Sequence, residues 1–205
     1  MTFNNWKSLN IGGNQLKKLV RASDGLVLFE KKQEEYPNWI CFENLSPEIT
    51  STQISINYVG NVTPSLVYSY DRKSWIEIDN TSKTTNIYFD ASHQRIWIKA
   101  GPGGNTSLAT GNSDYTLITP LGFGNVDLVK VAVRGNIFSL LDGENFESIT
   151  SAPSYCFSNL FNGKSYSNAA LTDASGIILT NGSLKSSNNT FRQMFMGQKR
   201  LEKGP

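Results

Sequence analysis

The chain has one imidazole, His93, and any Ser-His-Asp arrangement or neutral-pH proton shuttle would have to use it. It falls in Asp90-Ala91-Ser92-His93-Gln94, a turn signal, and a solvated turn histidine is the favoured reading. The two cysteines, Cys41 and Cys156, match no zinc or redox spacing. With a single His they cannot complete a tetrahedral zinc site without carboxylates, so they read as reduced, half-buried thiols. Asn162-Gly163-Lys164-Ser165 carries the G-K-S ending of a phosphate loop, but Ser158 stands where the first glycine is required, and the spacing before it is helical. Nucleotide binding is set aside. Asp142-Gly143-Glu144-Asn145 lacks the calcium-loop pattern and reads as a capped turn. Asp71, Asp79 and Asp90 also fall in turns, and a carboxylate pair for glycoside hydrolysis needs a separation of about 5–9.5 Å that only the fold can set. These residues therefore nominate no catalytic group, no metal site and no cofactor.

Aromatic side chains are the better candidates for contact. Trp75 and Trp97 alternate with Ile76, Ile78, Ile96 and Ile98, so if the isoleucines face a core the two indoles face outward. An outward pair could stack on a sugar ring or anchor another protein. The plainer alternative, which is preferred, covers both faces of that sheet with the N-terminal segment or a neighbouring subunit. Near the end of the chain, Phe191, Met194 and Phe195 recur at i, i+3, i+4, as do Phe157, Leu160 and Phe161 before them. Each set predicts a short amphipathic helix closed by a glycine, Gly163 or Gly197, with Ser154 capping the first and Asn188, Asn189 or Thr190 the second. The two sets are offset by 34 residues, a weak internal repeat. Ser, Asn and Gly between Ser165 and Ser187 rule out the paired long helices of a tetratricopeptide unit, so one short helix plus extended backbone is expected.

The elements that must position these side chains are mostly strands. The chain has 205 residues and 39% hydrophobic side chains, enough for one or two ordinary domains. With 19 basic and 17 acidic residues, its +2 charge is no electrostatic footprint for nucleic acid or an anionic membrane. Apolar runs such as Gly25-Leu26-Val27-Leu28-Phe29 fall far short of the roughly 20 residues that cross a bilayer, so no membrane insertion is expected. Met1-Thr2-Phe3-Asn4-Asn5-Trp6-Lys7 lacks the order of a secretory signal, which predicts synthesis and folding in the cytosol.

Period-two alternation dominates the first two thirds. Residues 1–36 read as a hairpin module, with turns at Gly12-Gly13-Asn14 and at Ser23-Asp24-Gly25, the latter joining Lys18–Arg21 to Leu26–Phe29. Residues 37–134 read as an antiparallel β-sandwich with strands over 53–59, 65–70, 74–78, 86–89, 95–99, 115–119 and 126–133. Pro64 and Pro120 are placed at strand edges, where a missing amide does least harm. Residues 135–205 form a short α/β repeat region. The fold class is thus mainly β.

Several of these phrases resemble a known family. Tyr155-Cys156-Phe157-Ser158-Asn159-Leu160-Phe161-Asn162-Gly163 and Thr190-Phe191-Arg192-Gln193-Met194-Phe195-Met196-Gly197, followed by Leu201, resemble the BspA-like leucine-rich repeats of gut Bacteroidales and their phages. Gly135-Asn136-Ile137-Phe138-Ser139-Leu140-Leu141 is similar to the phrase that leads into such arrays, and Tyr68-Ser69-Tyr70-Asp71-Arg72-Lys73-Ser74-Trp75 to a hairpin of the β-domain before them. The N-terminal Ile11-Gly12-Gly13 with Ser23-Asp24-Gly25 resembles the β-leader of virion-associated fibre proteins. There are departures: Lys164 to Asn188 looks like an insertion, Lys164 and Gln198 stand where the family has a second cysteine, and the array reaches only about two units.

The resemblance implies a non-enzymatic phage virion protein, a tail or capsid fibre or decoration component. It would act in assembly and in attachment to a host-surface glycan or protein, with other virion proteins as partners, a homo-oligomer (a trimer, as fibres are) and the virion as its location. One alternative is a BspA-like adhesin on the bacterial cell surface; another is an enzyme acting on polysaccharide. The contact candidates are Trp75, Trp97, Phe191, Met194 and Phe195. A solenoid of about two units also leaves an apolar end for something else to cover.

Overall fold

In the computed structural model, residues 18–20, 27–30, 38–49, 51–124, 127–180, 185–186 and 189–205 are described. Contacts divide the chain into two compact units, Met1–Tyr36 and Pro37–Pro205. In the first, β1 (Lys18–Val20) pairs antiparallel with β2 (Val27–Glu30), Leu19 opposite Phe29. That is the predicted hairpin flanking Ser23-Asp24-Gly25; the expected turn at Gly12-Gly13-Asn14 lies outside the described residues.

The second unit is mainly β. One sheet has three antiparallel strands in the order β7 (Thr84–Tyr88), β4 (Thr52–Val59), β9 (Tyr115–Gly122). The other has six, in the order β12 (Leu171–Ile178), β10 (Val131–Asn136), β3 (Ile40–Asn44), β8 (Arg95–Ala100), β5 (Leu66–Ser69), β6 (Ile76–Glu77). Their inward side chains share one core: Ile54, Ile56, Ile87 and Ile118 from the first, Ile40, Phe42, Leu66, Ile96 and Ile98 from the second. Each such side chain, taken fully out of water, stabilises the fold by about 1.5–3 kcal/mol. Pro120 sits inside β9 opposite Ile54, in the outer strand of its sheet, and its carbonyl accepts from the Ala170 amide on the side away from β4, so no bond to β4 is lost with its amide.

The other face of the larger sheet carries a ladder of alternating charge. The Glu43 carboxylate takes hydrogen bonds from Arg95 on one side (2.7 Å) and Arg134 on the other (3.2 Å). Arg134 also reaches Asp173 at 3.5 Å, and Lys203 approaches the same Asp173 oxygen at 3.9 Å. Four neighbouring strands and the end of the chain are thus joined sign against sign. Burial raises the Glu43 carboxyl, but the two arginine hydrogen bonds outweigh it and hold the group below its ordinary range.

From β10 onward the chain coils. Gly135 has φ +97°, and a Cβ there would fall on the Trp39 carbonyl oxygen, so only glycine lets β10 pass this close. The Asn136 side chain then accepts from the Phe138 amide at 3.0 Å and starts a buried 3-10 turn, Ile137–Leu140. β12 returns parallel to β10, and β13 (Lys185–Ser186) parallel to β11 (Ser151–Ala152). Glu202 and Lys203 come back alongside β12, bonding Thr172 and Ala174.

The two expected amphipathic helices do not form; no α-helix occurs among the described residues. Residues 155–163 and 189–197 are instead flat ribbons of consecutive turns. Every second amide, Ser158, Leu160 and Asn162 in the first and Arg192, Met194 and Met196 in the second, donates to the carbonyl three residues back. A left-handed residue recurs every fourth position: Tyr155 and Asn159 (φ +62°, +60°), then Asn189, Gln193 and Gly197 (φ +63°, +56°, +75°). A helix would bond every amide to its own chain. The ribbon bonds only half of them and frees the other half to bond the next layer. Ser154 and Asn189 accordingly cap no helix, and Asn188 lies outside the described residues.

Candidate functional site

Two places gather the side chains that the sequence singles out. The first is a cleft of about 630 Å³ between the Gly101–Gly104 loop and the Asp142–Asn145 turn, with Trp75, Glu77 and Lys99 on its wall. β8 positions Lys99. Ile96 and Ile98 turn into the core, so Trp97 and Lys99 share the opposite face. The ammonium of Lys99 lies 4.4 Å from the ring centre of Trp39 and 4.2 Å from that of Trp75, and it is ion-paired with Glu144. The two indoles meet edge to face at 4.8 Å, and the Trp39 ring N–H donates to the Gly143 carbonyl. Lys99 is 8% exposed, so two aromatic faces and a carboxylate substitute for its lost hydration. Each such cation–aromatic contact is worth about 0.5–2 kcal/mol.

The cleft's loops are fixed from within. Asn105 accepts from the Ser65 amide and donates to the carbonyls of Ser65 and Leu140, all within 2.9 Å. The Asp142 carboxylate accepts the amides of Asn145 (2.9 Å) and Glu144 (3.0 Å), which hold its carboxyl below the ordinary range. Lys99 and Asp142 are thus engaged in holding the cleft's shape.

Trp75 and Trp97 do not form an outward pair. Trp75 precedes β6 and packs on Trp39 and Lys99, whereas Ile76, expected inside, is 47% exposed. Both residues of the two-residue β6 are exposed, and burial resumes only at Ile78. Trp97 is half-buried, with the Arg72 guanidinium 5.0 Å from its ring centre. Different cations cover the two indoles.

The second place is the stack of ribbons. The amides of Phe157, Asn159, Phe161 and Gly163 donate to the carbonyls of Thr190, Arg192, Met194 and Met196 at 2.9–3.0 Å. Phe191 lies parallel to Phe157 with ring centres 5.7 Å apart, and Phe195 stacks on Phe161 at 5.5 Å. Phe157, Leu160 and Phe161 are fully buried and Met194 is 3% exposed, while Phe191 and Phe195 stay half-buried on the outer side. The structure therefore brings Phe191, Met194 and Phe195 together on one layer, at the spacing read from the sequence.

Elsewhere the reactive groups are quiet. His93 lies in an exposed turn, its ring nitrogen 2.9 Å from the Asp90 carboxylate and its ring against Tyr70. Burial pushes the Cys41 thiol up to about 12 and the Cys156 thiol to about 11, so neither is a thiolate at neutral pH. Among the described residues, no group of three His, Cys, Asp or Glu side chains is placed to hold a metal ion, and no helix is long and apolar enough to cross a membrane.

Sequence reading missed Trp39 and Lys99 as a pair. The available signal was a lysine following Trp97 at period two on a strand whose alternate residues are isoleucines. No protein-family model, curated protein or solved structure matches this chain.

Proposed function

We propose that the protein is a non-enzymatic structural component of a phage virion, acting in assembly through its layered C-terminal region and in contact with a host surface. What supports this reading above all is the open stack: a second ribbon built like the first, its two phenyl rings half-covered. A surface of this kind suits attachment to another protein rather than turnover of a small molecule. The engagement of His93 with Asp90, of Lys99 with two indoles and Glu144, and of the turn aspartates with backbone amides agrees with a scaffold role. The Trp75–Glu77 cleft is the place for a host-surface glycan or peptide.

Mass spectrometry of purified phage particles tests the reading. The chain is expected among the particle proteins at a copy number comparable to other fibre or decoration components, and its gene beside portal, capsid and tail genes. Recovery from the bacterial outer surface with no trace in particles would replace this reading with that of an adhesin.

A further inference from the structure

The ribbon stack is polar along its stacking direction. In the first ribbon the even-numbered carbonyls point one way: that of Cys156 accepts from the Leu108 amide and that of Leu160 from the Ile118 amide, so β9 and the loop before it seal the acceptor side. The odd-numbered amides point the other way and are the donors that hold the second ribbon. The second ribbon repeats this pattern 34 residues later. Its carbonyls at Thr190, Arg192, Met194 and Met196 are used by the first ribbon, and its inward-turned amides are used within its own turns. The amides of Phe191, Gln193, Phe195 and Gly197 remain, and among the described residues none accepts from them. They form a donor-only row at period two, flanked by the half-buried rings of Phe191 and Phe195. One layer further in, the equivalent Phe157 and Phe161 are fully buried, which is what a covering ribbon does to such rings.

From this polarity we infer that the outer edge of the 189–197 ribbon is a docking edge for a segment of a partner chain that joins it as a third layer. That segment carries apolar side chains at i, i+3 and i+4 and presents a row of alternate backbone carbonyls. A second copy cannot fill the place symmetrically, because donors would face donors. Nor can it do so head to tail, because its acceptor side is closed by its own Leu108 and Ile118 amides. The mode is strand addition transposed to a ribbon of turns: main-chain bonds hold the segment and the stacked rings select it. The inference rests on the reading of the open stack as a contact surface and adds the chemistry of its occupant.

The probe is the synthetic 189–205 peptide, whose carbonyls already match such a row of amides inside this fold, added to the full isotope-labelled chain and followed by amide hydrogen exchange. In the free chain the Phe157, Asn159, Phe161 and Gly163 amides should be protected, and those of Phe191, Gln193, Phe195 and Gly197 should exchange at rates near those of an unstructured chain. Saturating peptide should slow the latter four by at least about tenfold, and the F191S/F195S peptide should leave them unchanged. Three results would overturn the inference: the four amides protected in the free monomer, protection rising with protein concentration alone, or no slowing at about millimolar peptide. This outcome is independent of the particle analysis, since the edge can bind the peptide whether or not the chain is found in virions.

Discussion

The rings of Phe157 and Phe191 lie 6° from parallel with centres 5.7 Å apart, one phenyl ring stacked on its counterpart 34 residues on. The inner ring is fully buried and the outer only half, so truncating the two has unequal cost. Phe157→Ala should destabilise the chain by about 3–5 kcal/mol, the range for a buried phenyl, and Phe191→Ala by about half of that. Urea midpoints of the two variants check the ratio; equal losses would mean that the outer ring is as enclosed as the inner one.

Gly197 closes the second ribbon at φ +75°, and a Cβ there would overlap the backbone of Lys164. Gly197→Ala therefore meets both a left-handed backbone and a collision with the layer above, and should cost about 2 kcal/mol or more. Gly103 has the same sign of φ with open space around it, so Gly103→Ala should cost only about 1 kcal/mol. Thermal unfolding of both variants separates the collision from the backbone preference.

Replacing Lys99 by Met keeps the stem and removes the charge that lies between Trp39 and Trp75. The expected loss is about 1–3 kcal/mol, with a change in tryptophan emission as the indole faces lose their cation. Glu144→Gln should cost less, because Glu144 is solvent-exposed and the aromatic contacts survive.

Acid should weaken the fold in a defined window. Hydrogen bonds from the amides of Ser74 and Lys73 and the hydroxyls of Ser69 and Ser74 hold the Asp71 carboxyl at about 2, and those from Ser82 and Thr81 do the same for Asp79, against an ordinary 3.8. A folded-state value below the unfolded one contributes stability that is present above 3.8 and is lost as pH falls through about 2. Stability should therefore decline between 3.8 and about 2, and Asp71→Asn should flatten that slope in urea titrations at stepped pH.

Both thiols, with values of about 12 and 11, should react sluggishly with a thiol reagent at pH 8 in the native state. Denaturant should release both at the rate of a free cysteine, as followed by reagent absorbance.

Much of the sandwich was legible because its strands alternate cleanly: Ile54, Ile56 and Tyr58 point inward on β4, and Ile96 and Ile98 on β8. β3 went unread because Trp39-Ile40-Cys41-Phe42 is apolar without a break, its outer face covered by Trp97 and Arg134 rather than water. β12 was hidden for a different reason: Thr172, Asp173 and Ser175 look like loop residues, and the strand is held by parallel pairing with β10, forty residues earlier in sequence, and by the returning Glu202 and Lys203. The i, i+3, i+4 spacing of the phenylalanines named the right residues and the wrong backbone. A ribbon of turns with a left-handed residue every fourth position returns side chains to one side at nearly the same interval as a helix, and only Asn159, Asn189 and Gly197 hinted at the difference. The pairing of Trp39 with Lys99 was only half legible: period two puts Lys99 on the face of Trp97, but the contact with Trp39 depends on β3 lying next to β8.

Asp173 sits between Arg134 and Lys203 where the chain end returns beside β12. A slip of one position would set Glu202 there instead, carboxylate against carboxylate. Arg134 and Lys203 are solvent-exposed and lie at 3.5 and 3.9 Å, so each pair is worth only about 1 kcal/mol and the strand is barely glued by them. Their service is to proofread: the correct alignment is the one in which the signs alternate from edge to edge, and a misthreaded tail meets repulsion before it can settle.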